Sequence, residues 1–254
     1  FNEKLQWLKI YDRNPLYHKL VDKYEVREHI KQMVGEEYLV PLLGVWNSFD
    51  EINFDDLPNQ FVLKCTHDSG GHVICTDKNS FNIKEARHRI NSFLDRNFYN
   101  SWREWPYKNV KPRLICEKYL SPNPGESLND YKIYCFSGTP HFIAVNFDFL
   151  LERSKRRRNL FDLEWTLMNE RMEYPNKLPN PIQRPEKLDQ MINIAKTLSD
   201  GFPHIRVDLY YVKEKIYVGE LTFFTKSGFL NFYPEEFNFE LGNLIKLPER
   251  NINY

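Results

Sequence analysis

The sequence predicts an α+β protein with two lobes. Short runs of β-branched and aromatic residues occur in pairs joined by turn residues, which is typical of antiparallel hairpins. Longer stretches with apolar residues at a 3.6-residue period lie between these pairs and predict amphipathic helices. The resulting order, β-β-α-β-β-β-α-β-β-α, indicates an α+β architecture.

Each predicted strand is a short apolar run bounded by turn residues. In chain order, the predicted strands are 61–66, 72–77, 113–119, 131–136, 141–146, 205–212 and 216–223. Each predicted helix has one apolar face; Ala86 and Ile90, for example, recur at helical spacing. In chain order, the predicted helices are 3–12, 19–33, 84–98, 186–199 and 235–245. Asn14-Pro15 separates the first two because this dipeptide favours a break.

The composition excludes several classes of protein. The 35 Lys and Arg balance the 35 Asp and Glu, which argues against binding nucleic acid or a membrane surface through bulk charge. No apolar run is long enough for a transmembrane helix, and the polar start shows no signal peptide. The four cysteines lack C-x-x-C spacing and predict buried free thiols in a reducing cytoplasm. Because the chain opens without Met, we expect its true amino terminus upstream of Phe1.

The late hairpin, IRVDLYYVKEKIYVGELTFF, carries a candidate metal site. If its turn centres on Glu214, Asp208 lies opposite Glu220 on one face of the sheet. Two carboxylates so close repel each other unless a cation neutralises them, and oxygen ligands suit Mg²⁺. Arg206, on the same face, could hold an anion beside that metal. Alternatively, both acids face solvent, since a shift of one residue destroys the pairing.

The second candidate element is Lys64 followed by the loop T-H-D-S-G-G-H. Gly70 and Gly71 allow backbone N–H groups to turn toward phosphate oxygens, and a lysine can add a point charge. The loop does not match the Walker A pattern, and a strand rather than a helix follows it. A simple hairpin turn is the alternative interpretation.

Taken in order, the motifs resemble the TupA-like family of the ATP-grasp superfamily, which is associated with teichuronopeptide and other bacterial surface-polysaccharide biosynthesis. The resemblance rests on FVLKCTHDSGG, DYKIYCFSG, RVDLYYV and SGFLNFYPEEF, together with the opening phrase FNEKLQWLKIYDRNPLYHKLVDKYEVRE. It implies an ATP-grasp fold in which two antiparallel sheets sandwich ATP. We therefore expect a reduced helical amino-terminal segment (1–50), a small lobe with the glycine loop (51–120) and a large lobe with the metal site (121–254).

The resemblance also implies the roles of individual residues. Lys23 and Lys64 would contact phosphates, the loop would cover them, the strand end at 117–120 would receive adenine through backbone groups, and Asp130 could contact the ribose. These implied ATP-binding residues are Lys23, Lys64, Ser69, Gly70, Gly71, Glu117, Lys118, Leu120 and Asp130.

The implied catalytic residues are Lys132, directed at the γ-phosphate, and Arg206, which would steady the transferring phosphate. Asp208 and Glu220 match the carboxylates that hold Mg²⁺. Many ATP-grasp ligases have Asn two residues after the second acid, where this chain has Thr222. A hydroxyl can also bind a metal or its water, so Thr222 joins the predicted metal site and the number of Mg²⁺ ions stays open.

The implied reaction is an ATP-dependent carboxylate–amine ligation through an acylphosphate. We expect one partner to be an amino acid or other amine and the other a uronic-acid-type sugar or glycan precursor. The basic run that contains Arg153 and Arg157 would suit an anionic glycan or a nucleotide-linked sugar, although a solvated loop explains it equally well. A kinase on the same fold and a glycosyltransferase or sugar-binding protein are the alternative functions.

Overall fold

The computed structural model describes residues 1–121, 128–147, 152–179 and 182–249, except for the side chain of Arg153. The chain forms two compact units. Unit 1 comprises Phe1–Asp12, Gln32–Tyr38 and the described residues of Pro122–Tyr254, and unit 2 comprises Arg13–Lys31 and Leu39–Ser121. Residues 1–50, expected as a separate segment, are thus shared between the units. No helix in the described ranges has the length and apolar character needed to cross a membrane.

The helices and strands are numbered in chain order. The helices are α1 (Asn2–Tyr11), α2 (Leu16–Val21), α3 (Val26–Met33), α4 (Ile83–Leu94), α5 (Phe98–Trp102), α6 (Leu188–Ser199) and α7 (Glu236–Leu244). The strands are β1 (Leu42–Trp46), β2 (Phe61–Cys65), β3 (His72–Cys75), β4 (Leu114–Lys118), β5 (Asp130–Phe136), β6 (Thr139–Phe147), β7 (Arg157–Phe161), β8 (Arg171–Met172), β9 (His204–Val212), β10 (Lys215–Thr222) and β11 (Phe232–Tyr233).

The helix predicted over 19–33 is wrong, because the chain breaks there into α2 and α3. The side chain of Asp22 causes the break: its Oδ1 accepts hydrogen bonds from the backbone N–H groups of Tyr24 (2.7 Å) and Glu25 (3.2 Å). Aspartate competes in this way with the helical hydrogen bonds of the backbone. The helix predicted over 84–98 also ends early, at Leu94, and α5 follows as a separate helix.

Unit 2 contains a four-stranded antiparallel sheet in the order β1-β4-β2-β3. Successive side chains of a strand face opposite sides. Phe61, Leu63 and Cys65 are fully buried in one core with Ala86 and Ile90 of α4. Lys64 therefore lies on the opposite face of this sheet. The sequence analysis missed β1, whose pairing with β4 is interrupted between Leu42 and Gly44.

Unit 1 contains a five-stranded antiparallel sheet in the order β10-β9-β5-β6-β7 and a small sheet of β8 and β11. Helix α6 covers one face of the larger sheet; the Sγ of Cys135 contacts the carbonyl of Ala195 there at 3.8 Å. Ile133 and Val207 are fully buried on this face. The residues that alternate with them, including Lys132 and Asp208, lie on the other face.

The pairing across the turn between β9 and β10 arises differently from the prediction. Lys213 and Glu214 both have left-handed φ angles (49° and 61°), which is typical of a two-residue hairpin turn. A regular ladder from this turn would place Glu220 opposite Val207, on the α6 face. The register shifts between Val218 and Glu220, however, so that Glu220 pairs with Asp208. The predicted pair is confirmed, but a β-bulge at Gly219 produces it.

The prediction of buried free thiols is confirmed, since all four cysteines are free and buried. Burial raises the pKa of Cys65, Cys116 and Cys135 to about 12. Thiols with such high pKa values are unreactive.

We predict that Gly219→Ala destabilises unit 1. A Cβ at this position would lie 2.7 Å from Cε2 of the Tyr210 ring, so the ring or the bulge must move. Overpacking of this kind costs about 1–3 kcal/mol of the free energy of unfolding, which urea titration measures. The double variant Gly219→Ala/Tyr210→Ala is the control, because it removes the clash. If Gly219→Ala lowered the free energy of unfolding as much in the Tyr210→Ala background as in the wild type, the proposed clash would be contradicted.

We predict that His204 makes the protein less stable in acid. Burial lowers its pKa to about 3, and its Nδ1–H donates to the carbonyl of Cys135 at 2.9 Å. Between pH 6.5 and 3 the unfolded chain therefore binds a proton that the folded protein excludes. The free energy of unfolding falls as pH drops through this window, by up to about 1.4 kcal/mol per pH unit.

Urea titration from pH 7 to 4 should show a shallower pH dependence for His204→Gln than for the wild type. His88→Gln, which changes an exposed side chain of α4, is the matched control. A parallel pH dependence of His204→Gln and wild type would refute the assignment.

Candidate functional site

One face of the five-stranded sheet in unit 1 carries a cluster of charged and hydroxyl side chains. We call it the carboxylate cluster, and its members are Asp130, Lys132, Arg206, Asp208, Glu220 and Thr222. Cross-strand pairing aligns Lys132 of β5, Asp208 of β9 and Glu220 of β10. The pair Arg206 and Thr222 lies beside this row. The structure thus brings together all the catalytic and metal-binding residues that the sequence predicted.

Asp208 is the centre of the carboxylate cluster. Its Oδ1 accepts from Nε of Arg206 at 2.6 Å and its Oδ2 from Nη2 at 2.7 Å, a bidentate ion pair. Nζ of Lys132 lies 2.5 Å from the same Oδ2. Burial acts to raise the pKa of Asp208, but the positive charges of Arg206 and Lys132 outweigh burial and hold this pKa below its usual value.

Lys132 connects two carboxylates, because its Nζ also lies 2.5 Å from Oδ2 of Asp130. Burial acts to lower the pKa of Lys132, but Asp130 and Asp208 outweigh it, so the pKa is raised and the ammonium stays charged. For Asp130, burial outweighs the positive charge of Lys132, so its pKa is raised. Its Oδ1 is buried and finds no hydrogen-bond partner among the described residues.

Arg206 is fixed by hydroxyls as well as by Asp208. Its Nη2 donates to Oγ1 of Thr222 at 3.0 Å, and its Nη1 donates to Oγ1 of Thr225 at 3.4 Å. Its pKa is raised above the ordinary value, since Asp208 outweighs the effect of burial. The guanidinium is therefore held in one orientation and permanently charged. Thr225 is the member of this network that the sequence analysis did not identify.

The carboxylate and hydroxyl oxygens of the carboxylate cluster are of the kind that bind a hard divalent cation. Glu220 accepts no hydrogen bond from the described residues, so its carboxylate is available, and Thr222 and Asp208 add further oxygens. In the present arrangement, cationic side chains neutralise Asp208, and the described residues contain no group of three His, Cys, Asp or Glu that could hold a metal. Mg²⁺ bound to Asp208 would therefore compete with Lys132 or Arg206 for that carboxylate.

Unit 2 has its own charged cluster, on the sheet face opposite α4. We call it the lysine–glutamate cluster; it consists of Lys64, Arg27 and Glu117. Nζ of Lys64 lies 2.6 Å from Oε2 of Glu117, and Nη1 of Arg27 lies 3.3 Å from Oε1. The exposed fraction of the Glu117 side chain is only 9%, so both cations are held by a nearly buried acid. The sequence analysis missed Arg27, since it precedes Glu117 by 90 residues.

Lys23 lies beside the glycine loop in the same unit. Its backbone N–H donates to the carbonyl of Thr66 at 3.1 Å, and its Nζ donates to the carbonyl of Asp68 at 2.6 Å. The break between α2 and α3 places Lys23 there. Oδ2 of Asp22, at this break, accepts a hydrogen bond from Nη2 of Arg113 at 2.8 Å, which helps to fix the position of the break. The turn that ended the predicted helix thus positions a lysine at the predicted phosphate loop.

The glycine loop itself is a hairpin connection between β2 and β3. Gly70 has a φ of +91°, a conformation that glycine adopts readily, and Gly71 packs where a Cβ would lie 3.0 Å from the Phe93 side chain. Ser69 and Gly70 are exposed, and the backbone N–H of Ser69 bonds Oδ1 of Asp68 at 2.5 Å. The exposed part of the loop remains the predicted cover for phosphates.

The predicted adenine-binding strand end has a defined position. Glu117 and Lys118 end β4, and Leu120 follows, half-buried. The backbone N–H of Lys118 donates to the carbonyl of Pro41 at 2.9 Å, which leaves that N–H engaged. The side chain of Glu117 has a role that the sequence did not indicate, as the acid of the lysine–glutamate cluster.

Of the two residues predicted to bind the acceptor, Arg157 begins β7, whereas Arg153 precedes this strand. Arg157 donates from Nη1 to the carbonyls of Ser154 and Arg156, both at 2.9 Å, and pairs with Phe147. The side chain of Arg153 lies outside the described residues. The sequence analysis missed β7 because its strand begins with two arginines, and it did not single out Arg158, which is buried and pairs with Asn146.

A comparison with models of protein families identifies the family of this chain. The model of the TupA-like ATP-grasp family matches residues 3–246. The chain belongs to this family. Its α+β architecture of helices and antiparallel sheets is the ATP-grasp fold. A search of curated proteins found no match.

Similar solved structures include ATP-grasp enzymes. The D-alanine–D-alanine ligase of Bacillus anthracis is 18% identical, over 80% of this chain and 57% of that one, with a TM-score of 0.43. The Helicobacter pylori ligase is 14% identical over 89% and 57%, with a TM-score of 0.46. The ligase PsnB, in complex with a phosphomimetic variant of minimal precursor, Mg and ADP, is 10% identical over 82% and 52%, with a TM-score of 0.45. The chain thus spans about half the length of these proteins.

We predict that Glu117→Gln lowers the free energy of unfolding by about 1–3 kcal/mol, because the cations Lys64 and Arg27 lose their charged partner. Urea titration measures the change. Asp55→Asn, at an exposed acid of the same unit, is the matched control. The double variant Lys64→Met/Glu117→Met should lose less free energy of unfolding than Lys64→Met and Glu117→Met lose in sum. The reason is that removing both charges leaves fewer uncompensated groups. Additive losses would show that Lys64 and Glu117 are not coupled.

Proposed function

We propose that the protein is an ATP-dependent carboxylate–amine ligase. The observation that carries the proposal is the alignment of Lys132, Asp208 and Glu220 on one sheet face, with Arg206 fixed beside them, in a chain of the TupA-like ATP-grasp family. Two carboxylates and two permanent cations on one face suit the transfer of a highly charged phosphoryl group.

In the proposed reaction, an oxygen of the acceptor carboxylate attacks the γ-phosphorus of ATP. The bond from that phosphorus to the β–γ bridging oxygen breaks, and ADP leaves. The amine nitrogen then attacks the carbonyl carbon of the acylphosphate, and the carbon–oxygen bond to phosphate breaks. The amine loses a proton, and the products are an amide, ADP and inorganic phosphate, which retains one oxygen of the acceptor carboxylate.

Each cluster has a proposed part in this reaction. Lys23 and the exposed loop at Ser69 and Gly70 would bind phosphates of ATP, and Lys64 would add a charge. Lys132 would neutralise the γ-phosphate, and Arg206 the transferring group, because both cations are already held in place. Asp208, Glu220 and Thr222 would hold Mg²⁺, which when bound neutralises phosphate charge.

The proposed substrates follow from the family and the chemistry. We infer that the acceptor is a uronic-acid-type carboxylate of a bacterial surface polysaccharide or its precursor and that the amine is an amino acid or a similar compound. The chain belongs to the TupA-like family, and the association of that family with surface-polysaccharide biosynthesis supports this choice of acceptor. Because the reaction consumes ATP, we propose that it takes place in the cytoplasm.

We predict that Glu220→Gln lowers ADP release by 100-fold or more, since the variant removes the carboxylate available for Mg²⁺ while keeping the side-chain shape. The assay measures ADP while amino acids and uronic acids are screened in pairs. Glu240→Gln, at an exposed acid of α7, is the matched control and should retain wild-type turnover. Full turnover of Glu220→Gln would refute the metal assignment.

The fate of oxygen distinguishes the ligase from its alternatives. With ¹⁸O in the acceptor carboxylate, a ligase transfers one labelled oxygen to inorganic phosphate and releases phosphate only when the amine is also present. A phosphorylated sugar as the stable product would show that the protein is a kinase instead. Consumption of a nucleotide sugar without ATP would show that it is a glycosyltransferase.

A further inference from the structure

The glycine loop between β2 and β3 is held through its carbonyl oxygens by two cationic side chains of unit 2. Nζ of Lys23 donates to the carbonyl of Asp68 at 2.6 Å. From α4, Arg89 donates through Nη2 to the carbonyl of Gly70 at 3.3 Å and through Nε to that of His72 at 3.0 Å. In the part of the chain that the structure describes, neither cation forms an ion pair with a carboxylate, so both spend their hydrogen bonds on the loop.

These contacts restrain the exposed peptide group between Ser69 and Gly70. The carbonyls on either side of it, those of Asp68 and Gly70, are anchored by the lysine and the arginine. Because peptide bonds are planar, only the φ and ψ angles of Ser69 and Gly70 can vary between these two anchors. The backbone N–H of Gly70 donates to no acceptor in the described ranges, and N–H groups in such a turn can bind an anion.

An aromatic ring supports Arg89 beside the loop. The carbon of its guanidinium lies 5.6 Å from the ring centre of Phe93, and the Phe93 side chain packs against Gly71, where a Cβ would lie 3.0 Å from it. Arg96 lies over the same ring at 4.0 Å, but its side chain bonds no loop carbonyl in the described part of the chain. The two arginines thus carry the same charge on one ring, and only Arg89 holds the backbone of the loop.

We propose that Arg89 is a positioning residue for the phosphates of ATP. It holds the carbonyls of Gly70 and His72, so that the exposed N–H of the glycine loop stays directed at a phosphate; Arg89 acts through the backbone and does not itself bind the nucleotide. A loop restrained in this way loses less conformational freedom when the phosphate binds. This inference rests on the proposed ligase function, because that function places ATP at the loop.

Calorimetry with two probes tests this inference. The probes are the Mg²⁺ complex of β,γ-imido-ATP, which has three phosphates and is not hydrolysed, and adenosine, which has none. Arg89→Gln removes the donors to both carbonyls and keeps a good helix former at an exposed position of α4. It should weaken binding of the ATP analogue about 10-fold, because the loop must then be ordered on binding, and leave the affinity for adenosine unchanged.

Two further variants separate positioning from charge. Arg89→Lys keeps the charge without the planar fork that reaches two carbonyls, so it should still weaken binding of the ATP analogue several-fold. This variant carries the test if Arg89→Gln does not fold. Arg96→Gln is the matched control, because it removes the same charge from the same aromatic ring without touching the loop carbonyls, and it should bind both probes as the wild type does.

Three outcomes would overturn the inference: folded Arg89 variants bind the ATP analogue as tightly as the wild type, they lose affinity for adenosine to the same extent, or Arg96→Gln causes an equal loss. The wild type tests the proposed function separately. A wild type that fails to bind the ATP analogue would refute the ligase proposal itself, whereas intact binding by the wild type and by the Arg89 variants would refute only the role of Arg89.

Discussion

The ion pairs of Asp208 are the interaction on which unit 1 depends. This buried carboxylate is bound by Arg206 on its own strand and by Lys132 on the neighbouring strand, and Lys132 is shared with Asp130. Removing one partner of such a buried network costs about 3–5 kcal/mol, because the remaining charge has no compensation. The same charges suit phosphoryl transfer, so the stability of this face and its proposed chemistry use the same side chains.

In unit 2, a single acid neutralises two cations. Glu117 neutralises Lys64 and Arg27 on the sheet face opposite the core, while Asp22 interrupts a helix and so brings Lys23 to the glycine loop. In both units a buried or nearly buried carboxylate fixes cations that the proposed reaction needs. Pre-organised cations require little rearrangement when a phosphate binds, which is how charged sites stabilise a transition state.

Much of this could be predicted from local patterns. The alternation of side chains indicated that Arg206 and Asp208 share a face of β9 and that Glu220 and Thr222 share a face of β10, because side-chain direction in a strand repeats every two residues. The resemblance of the motifs to the TupA-like ATP-grasp family indicated the fold, and the family match confirms it. Strand β7 could not be predicted in this way, since two arginines open a strand whose following residues are buried on both faces.

The sequence by itself determined the pairing of strands into hairpins, the position of the glycine loop and the residue types available for phosphate and metal, because these depend on neighbours in the chain. Only the tertiary structure decided that Glu220 faces Asp208 through a bulge at Gly219, that Glu117 neutralises Lys64, and that Arg158 rather than Arg157 shares the face of Lys132. Each of these outcomes depends on contacts between residues far apart in sequence, and periodicity along one strand carries no information about such contacts.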